Sequence, residues 1–374
     1  MAGIYIHIPF CKQACHYCNF HFSIGNAYSE RMIEAICKEI EWRKNEIDEK
    51  IDTIYFGGGT PSILDPSQID RLLNQIHKDF SLGEQPEITL EANPDDIDPK
   101  KANRWKTIGI NRYSIGIQSF SDLQLQWMNR AHNAAQALHC IEIIREAGFE
   151  NFSIDLIYGS PNQNMKDWKE DLEKAIQLQI PHLSCYALTV EQETPLFHMI
   201  KKGKKQNVNS DLQADMFKQL IALSRSGGYH HYEISNFAVP GMESKHNSAY
   251  WKGLAYLGFG PSAHSHHQHT RSWNISNNMA YMQSIENNIL PSEKEELSAA
   301  NRLNEYIMTR LRMSSGIEEQ HIQSHWGVDE SLRIEQAIAP FILQGKIEKT
   351  AIGWKLTDDG KYFADGIAAD LFIV

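Results

Sequence analysis

Apolar and polar residues alternate along this chain in two rhythms, short strand-like runs and longer amphipathic stretches. Ile4-Tyr5-Ile6-His7-Ile8 has the period of a strand, while Ile33, Ile36, Cys37 and Ile40 recur at helical spacing and predict a helix over 29–47. A second strand over 51–56 runs into Gly57-Gly58-Gly59. Asp65-Pro66 then opens a helix with Ile69, Leu72, Leu73 and Ile76 on one face. Further strands are predicted at 87–92, 112–117, 152–158 and 183–190. Helices are predicted at 134–147, stopped by Gly148, and at 165–179. Six β–α units in about 190 residues predict an α/β fold, a parallel sheet closing toward a partial (β/α)6 barrel. Such folds place their chemistry at the C-terminal ends of the strands. Here those ends carry a cysteine cluster, the glycines, Glu91, Gln118 and Asp155, so the distinctive polar groups converge on one mouth.

Beyond residue 190 the rhythm weakens. Lys201-Lys202-Gly203-Lys204-Lys205 reads as a solvated loop, followed by a helix over 210–226 and a strand near Tyr232. A Gly/His-rich stretch covers 253–269, and its His264, His266, His267 and His269 are also expected in a solvated loop. Within it, Gly258-Phe259-Gly260-Pro261-Ser262-Ala263 imitates a dinucleotide fingerprint. It comes late in the chain and Pro261 removes a backbone donor, so its expected role is close backbone packing. From about residue 293, short helices, a strand-like stretch at 347–356 and a last helix read as a small α+β domain of winged-helix type. The apolar Leu371-Phe372-Ile373-Val374 is expected to dock on it. The organisation predicted is a core over 1–230, an extension over 231–292 and a C-terminal domain over 293–374.

Composition narrows the function. With 42% hydrophobic and 22% charged residues among 374, the chain is an ordinary globular protein. A net charge of −11 argues against nucleic-acid binding. No run of 18 apolar residues exists to span a bilayer, and the start of the chain lacks a signal-peptide pattern. The expectation is a cytoplasmic chain that is not an integral membrane protein.

Cys11-x-x-x-Cys15-x-x-Cys18 places three soft thiolates on a short loop after the first strand. Three thiolates can hold three irons of a [4Fe–4S] cube and leave the fourth iron open to chelate a small molecule. The alternative is a zinc site completed by His16 or His21, although zinc ligands usually come as two separated pairs. Cys37, Cys140 and Cys185 are scattered and read as small packing residues.

The segment Tyr5-Ile6-His7-Ile8-Pro9-Phe10-Cys11-Lys12-Gln13-Ala14-Cys15-His16-Tyr17-Cys18 resembles the signature of the radical S-adenosylmethionine (SAM) superfamily. Within it the chain is most similar to the oxygen-independent coproporphyrinogen III oxidases and their heme-chaperone relatives, over essentially its whole length. The resemblance implies that SAM chelates the open iron and is reductively cleaved to a 5′-deoxyadenosyl radical. Phe56-Gly57-Gly58-Gly59-Thr60-Pro61-Ser62 is similar to the family's glycine-rich strand end, where Gly58, Gly59 and Thr60 would admit the methionine ammonium. By the same resemblance Tyr5 lies against SAM, Tyr17 flanks the adenine and Glu91 takes the ribose hydroxyls. Gln118 and Arg130 line the polar part of the pocket, and Asp155 and Ala187 its far rim; the oxidases use some of these for a second SAM.

Three features separate the relatives. The oxidases continue the motif to a fourth cysteine, where this chain has Phe20. They also carry a leading extension that this chain, with its first cysteine at residue 11, is expected to lack. Third, His246-Asn247-Ser248-Ala249-Tyr250-Trp251 matches the H-N-x-x-Y-W motif of the heme chaperones. His246 is thereby implied as an axial ligand of heme, with Tyr250 and Trp251 offering flat faces. The implied partners are heme, acceptor hemoproteins such as respiratory cytochromes, and an electron donor such as flavodoxin or ferredoxin. Oxidative decarboxylation of coproporphyrinogen, a radical SAM methyl transfer and a zinc-structured interaction protein remain as alternatives.

Overall fold

Six strands lie side by side in chain order, all parallel: β1 (Ala2–Ile8), β2 (Ile51–Gly58), β3 (Leu82–Ala92), β4 (Arg112–Gln118), β5 (Phe152–Tyr158) and β6 (His182–Ala187). This computed structural model describes residues 2–373. The connecting helices are α1 (Ser29–Trp42), α2 (Pro66–Asp79), α3 (Pro99–Thr107), α4 (Asp122–Met128), α5 (Ala134–Glu146) and α6 (Met165–Gln177). The pattern-based reading misses α3, which buries only Ala102 and Trp105 and is started by the Asp98 side chain accepting the Lys101 amide. It also misses the first five residues of β3, where Gly83 and Pro86 mask strand character.

A short helix, α7 (Pro195–Lys201), and a longer one, α8 (Ser210–Ser226), lead to β7 (His230–Glu233) and β8 (Asn236–Ala238), which extend the sheet antiparallel beyond β6. After α9 (Lys245–Trp251) the chain returns to the opposite edge. There β9 (Tyr256–Phe259) pairs parallel with β1, and β10 (His264–His267), β11 (Thr270–Asn274) and β12 (Ser292–Glu296) continue antiparallel. The result is a twelve-stranded sheet in the order β12-β11-β10-β9-β1-β2-β3-β4-β5-β6-β8-β7, so the barrel stays open. The histidine-rich stretch is therefore a strand and a turn, not a loop. The fingerprint-like glycines end β9 without opening a helix. A Cβ on Gly258 would come within 2.1 Å of the His264 carbonyl, and one on Gly260 within 2.5 Å of the His7 carbonyl, which explains why both lack side chains.

The residues from 292 do not open the small domain as expected but complete the large sheet. After α10 (Asn278–Glu286), which packs on α1, the small domain has its own core. It contains α11 (Ala299–Arg312), β13 (Ile317–Glu318), α12 (Glu319–Trp326), α13 (Val328–Leu343), β14 (Ile347–Lys349), β15 (Gly353–Leu356), α14 (Asp358–Lys361) and α15 (Ala364–Leu371). Helices and a three-stranded sheet give the expected α+β, winged-helix-like shape. Leu371, Phe372 and Ile373 pack on this core, and Val374 lies outside the described residues. Among the described residues no helix is long and apolar enough to cross a membrane.

Strand alternation decides what the barrel contains. Ile4, Ile6, Ile8, Ile54, Phe56, Leu90, Ile115, Ile154, Leu156 and Leu183 are fully buried in the main hydrophobic core. Each such side chain contributes roughly 1.5–3 kcal/mol by leaving water. The alternate positions are Gly3, Tyr5 and His7 on β1, Thr53 and Tyr55 on β2, and Glu91 on β3. On the later strands they are Arg112, Ser114 and Gly116, then Ser153 and Asp155, then His182, Ser184 and Tyr186. These line a cavity of about 1200 Å³. A closed eight-stranded barrel fills its interior with branched apolar side chains; this one is polar and hollow.

Candidate functional site

At the strand ends, the cysteine loop is held from two sides. On one side Gly59 donates its amide to the Ile8 carbonyl at 2.9 Å and Thr60 to the Phe10 carbonyl at 2.7 Å. A Cβ on Gly59 would meet those same carbonyls at 2.9 and 2.7 Å, and Gly58 sits at φ +107° against the His7 ring. The glycines thus bring β2 against the strand that carries the cysteines. The Thr60 hydroxyl donates to Cys11 Sγ at 3.4 Å. On the other side Arg130 donates Nη1 to Cys15 Sγ at 3.2 Å and Nη2 to Asn93 Oδ1 at 2.6 Å and the Gly116 carbonyl at 2.7 Å. Asn129, at φ 60°, donates its amide to the Ala14 carbonyl at 2.7 Å.

Lys205, expected in a solvated loop, instead packs on this site. Its ammonium lies 4.0 Å from the centre of the Trp127 ring, donates to the Trp127 carbonyl at 2.5 Å and approaches His16 Nδ1 at 2.9 Å. His16 is thereby engaged, and His21 Nε2 is bonded to Asn278 Oδ1 at 2.8 Å. Among the described residues no three His, Cys, Asp or Glu side chains are placed to hold a single metal ion. Three free, half-buried thiols on one loop, beside a guanidinium that can neutralise thiolate charge, fit a multi-iron cluster. Burial holds the free Cys11 thiol up at about 11, against the Thr60 hydrogen bond.

The other residues predicted for SAM line the same cavity: Tyr5, Tyr17, Gly58, Gly59, Thr60, Glu91, Gln118, Arg130, Asp155 and Ala187. Tyr17 packs on the apolar cluster of Met128, Ile157, Leu188 and Leu196. Gln118 is held at φ 68°, a left-handed conformation that costs a non-glycine residue about 1 kcal/mol or more. Burial raises Glu91 to about 8, opposed by the Tyr55 hydroxyl donating to it at 2.7 Å and reinforced by Asp155. Burial likewise raises Asp155 to about 6, opposed first by Ser184.

His246 occupies the opposite end of the cavity, near the strand starts. It lies in helix α9, whose first turn is fixed by the buried Glu87 carboxylate accepting the Lys245 and His246 amides at 3.1 and 3.0 Å. Its Nδ1 is 2.8 Å from Thr53 Oγ1, and its ring stacks on Tyr55 at 5.0 Å and 23°. Burial, then the Arg112 charge, lowers its pKa to about 4, so the imidazole is neutral. Tyr250 is 48% exposed and meets Trp251 edge-on at 5.2 Å; Trp251 lies under the Arg312 guanidinium. Motif reading missed Thr53, Tyr55, Glu87, Asn93 and Arg112. Polar residues at every second position of otherwise apolar strands were the available signal.

A partly open parallel barrel with a three-cysteine loop after its first strand defines the radical SAM class, and residues 5–175 match the radical SAM superfamily model. Residues 297–363 match the HemN C-terminal domain. A Lactococcus lactis protein named heme chaperone HemW is 37% identical over 84% of this chain and 82% of its own. Its Bacillus subtilis namesake is 32% identical over 98% of both chains. The structure of coproporphyrinogen III oxidase from Escherichia coli superposes with a TM-score of 0.85 at 22% identity, over 99% of this chain and 90% of that one, a likeness of fold. This chain belongs to the heme chaperone HemW family of the radical SAM superfamily.

Proposed function

We propose that this chain is a cytoplasmic heme carrier that binds heme through His246 and passes it to acceptor hemoproteins such as respiratory cytochromes. Cys11, Cys15 and Cys18 hold a [4Fe–4S] cluster. Tyr5, Tyr17, the backbone at 58–60, Glu91, Gln118, Arg130, Asp155 and Ala187 receive SAM. When bound, the cluster supplies the open iron and the electron that SAM chemistry requires, drawn from a donor such as flavodoxin or ferredoxin. The observation that carries the heme reading is the state of His246. Its imidazole is neutral, its Nδ1 is engaged by Thr53 and its Nε2 has no hydrogen-bond partner among the described residues; in the tautomer whose Nδ1–H donates to Thr53, Nε2 offers its lone pair to iron. Phe20, 67% exposed at the mouth where the oxidases have a cysteine, favours carriage over porphyrinogen decarboxylation.

Anaerobic reconstitution followed by hemin titration tests this. The expected result is a saturable complex whose absorption spectrum changes and whose affinity falls in His246→Ala. An unchanged spectrum and affinity in that variant would overturn the ligand assignment. Formation of protoporphyrinogen from coproporphyrinogen at enzyme-like rates, with SAM and a strong reductant, would replace the carrier with an oxidase.

A further inference from the structure

The cavity reaches one strong charge that the proposed function leaves unused. Arg112, the first residue of β4, is 1% exposed, yet its guanidinium is part of the cavity wall. Its Nε and Nη2 meet no acceptor. The nearest carboxylate oxygen, on Glu87, is 3.9 Å away, and Glu87 already accepts the two amides of α9. Thr89, opposite Arg112 in the β3–β4 register, leaves its hydroxyl unpaired, and His182, on the cavity wall, leaves Nδ1 unpaired. Buried polar groups are normally satisfied, and a buried guanidinium with open donors is costly. Several such groups gathered at one end of a cavity form a receptor that lacks its acceptor. The planar fork of arginine matches a carboxylate.

His246 opens on the same cavity and is tied to Arg112 through Glu87. A ligand held at His246 Nε2 that also carries a carboxylate on a flexible arm would engage both. We infer that Arg112 binds a propionate of the heme held by His246 and so selects which edge of the macrocycle enters the barrel. This rests on the heme reading above. His182, also on the cavity wall, would supply a further hydrogen bond to the carboxylate.

The test compares hemin with hemin dimethyl ester, which keeps the iron and the ring but loses both carboxylates, on the full-length, reconstituted protein. The unaltered protein should bind hemin at least about tenfold more tightly, the scale of one charge-assisted hydrogen-bonded pair. Arg112→Met should erase that preference and Arg112→Lys should keep part of it, with iron content and SAM binding as controls on folding. Equal affinity for the two porphyrins in the unaltered protein overturns the Arg112 inference and leaves His246 standing. So does an Arg112→Met protein that still prefers hemin. If neither porphyrin binds the unaltered protein, the heme reading itself fails and the inference falls with it. The ligand comparison needs no variant, so a failure of Arg112→Met to fold does not protect the idea.

Discussion

The two ends of one barrel lumen are built on different plans. At the strand ends, the cysteines lie within eight residues, and adjacent loops hold them through backbone contacts and Arg130. At the strand starts, the groups come from strand interiors and from a helix far away in sequence: Thr53 and His246 are 193 residues apart, Glu87 and His246 159. A site made of loops can change without disturbing the core. A site made of strand interiors shares its residues with the sheet, so a change there alters binding and stability together.

The largest effect expected comes from removing a cluster ligand. Cys15→Ala should drop iron from about four per chain to nearly none. Hemin affinity should stay within about twofold, because Cys15 bonds to Arg130 and not to His246, Thr53 or Arg112; loss of hemin binding in this variant would show that the two ends are one site. Next, Glu87→Ala should break the strand-start end alone. It strips two helix amides of their acceptor and removes the only carboxylate within 4 Å of the buried Arg112 guanidinium among the described residues, and should lower folding stability by about 3–5 kcal/mol in a denaturant titration while the cysteines stay in place. A shift well below 1 kcal/mol would mean that Glu87 does not anchor α9.

The third effect belongs to the mouth. Glu91 holds its proton below about 8 and Asp155 below about 6. Ribose hydroxyls donate to an ionised carboxylate, so SAM should bind more tightly as pH rises, by up to about tenfold per pH unit below the Glu91 value, and level off above it. Glu91→Gln should flatten the profile, and a flat profile in the unaltered protein would remove Glu91 from the ribose. The smallest is Thr53→Val, which frees His246 Nδ1 and should weaken hemin binding by about tenfold, with Thr53→Ser restoring it. Equal affinity in all three proteins would show that Thr53 does not orient the ring.

The mouth was readable in the sequence because its chemistry is local. Cys11, Cys15 and Cys18 declare themselves by spacing, and Gly59 and Thr60 follow a strand whose apolar residues are plain. The reason for Gly59 was not readable, since it is the approach of the Ile8 and Phe10 carbonyls from another strand. The strand-start end was nearly silent. His246 stands out in a motif, but Thr53, Glu87 and Arg112 acquire meaning only once β2, β3 and β4 are in register and α9 is laid beside them. Lys205 looked like one more exposed cation because its partner, Trp127, lies far back in the chain on α4. The same limit applies to β9, whose partner β1 lies at the other end of the chain.

That pairing has a consequence in time. The strand that leads into the cysteines gains its first neighbour, β2, about 50 residues later, but its second, β9, only after about 250. At a synthesis rate of 5–20 residues per second, the nascent β1 keeps a bare edge for roughly 12–50 s after it emerges. During that interval the cysteine loop hangs on an unfinished sheet margin, open to mispairing with other chains. Pairing with β9 closes that edge, so the pace of synthesis sets how long the margin stays bare.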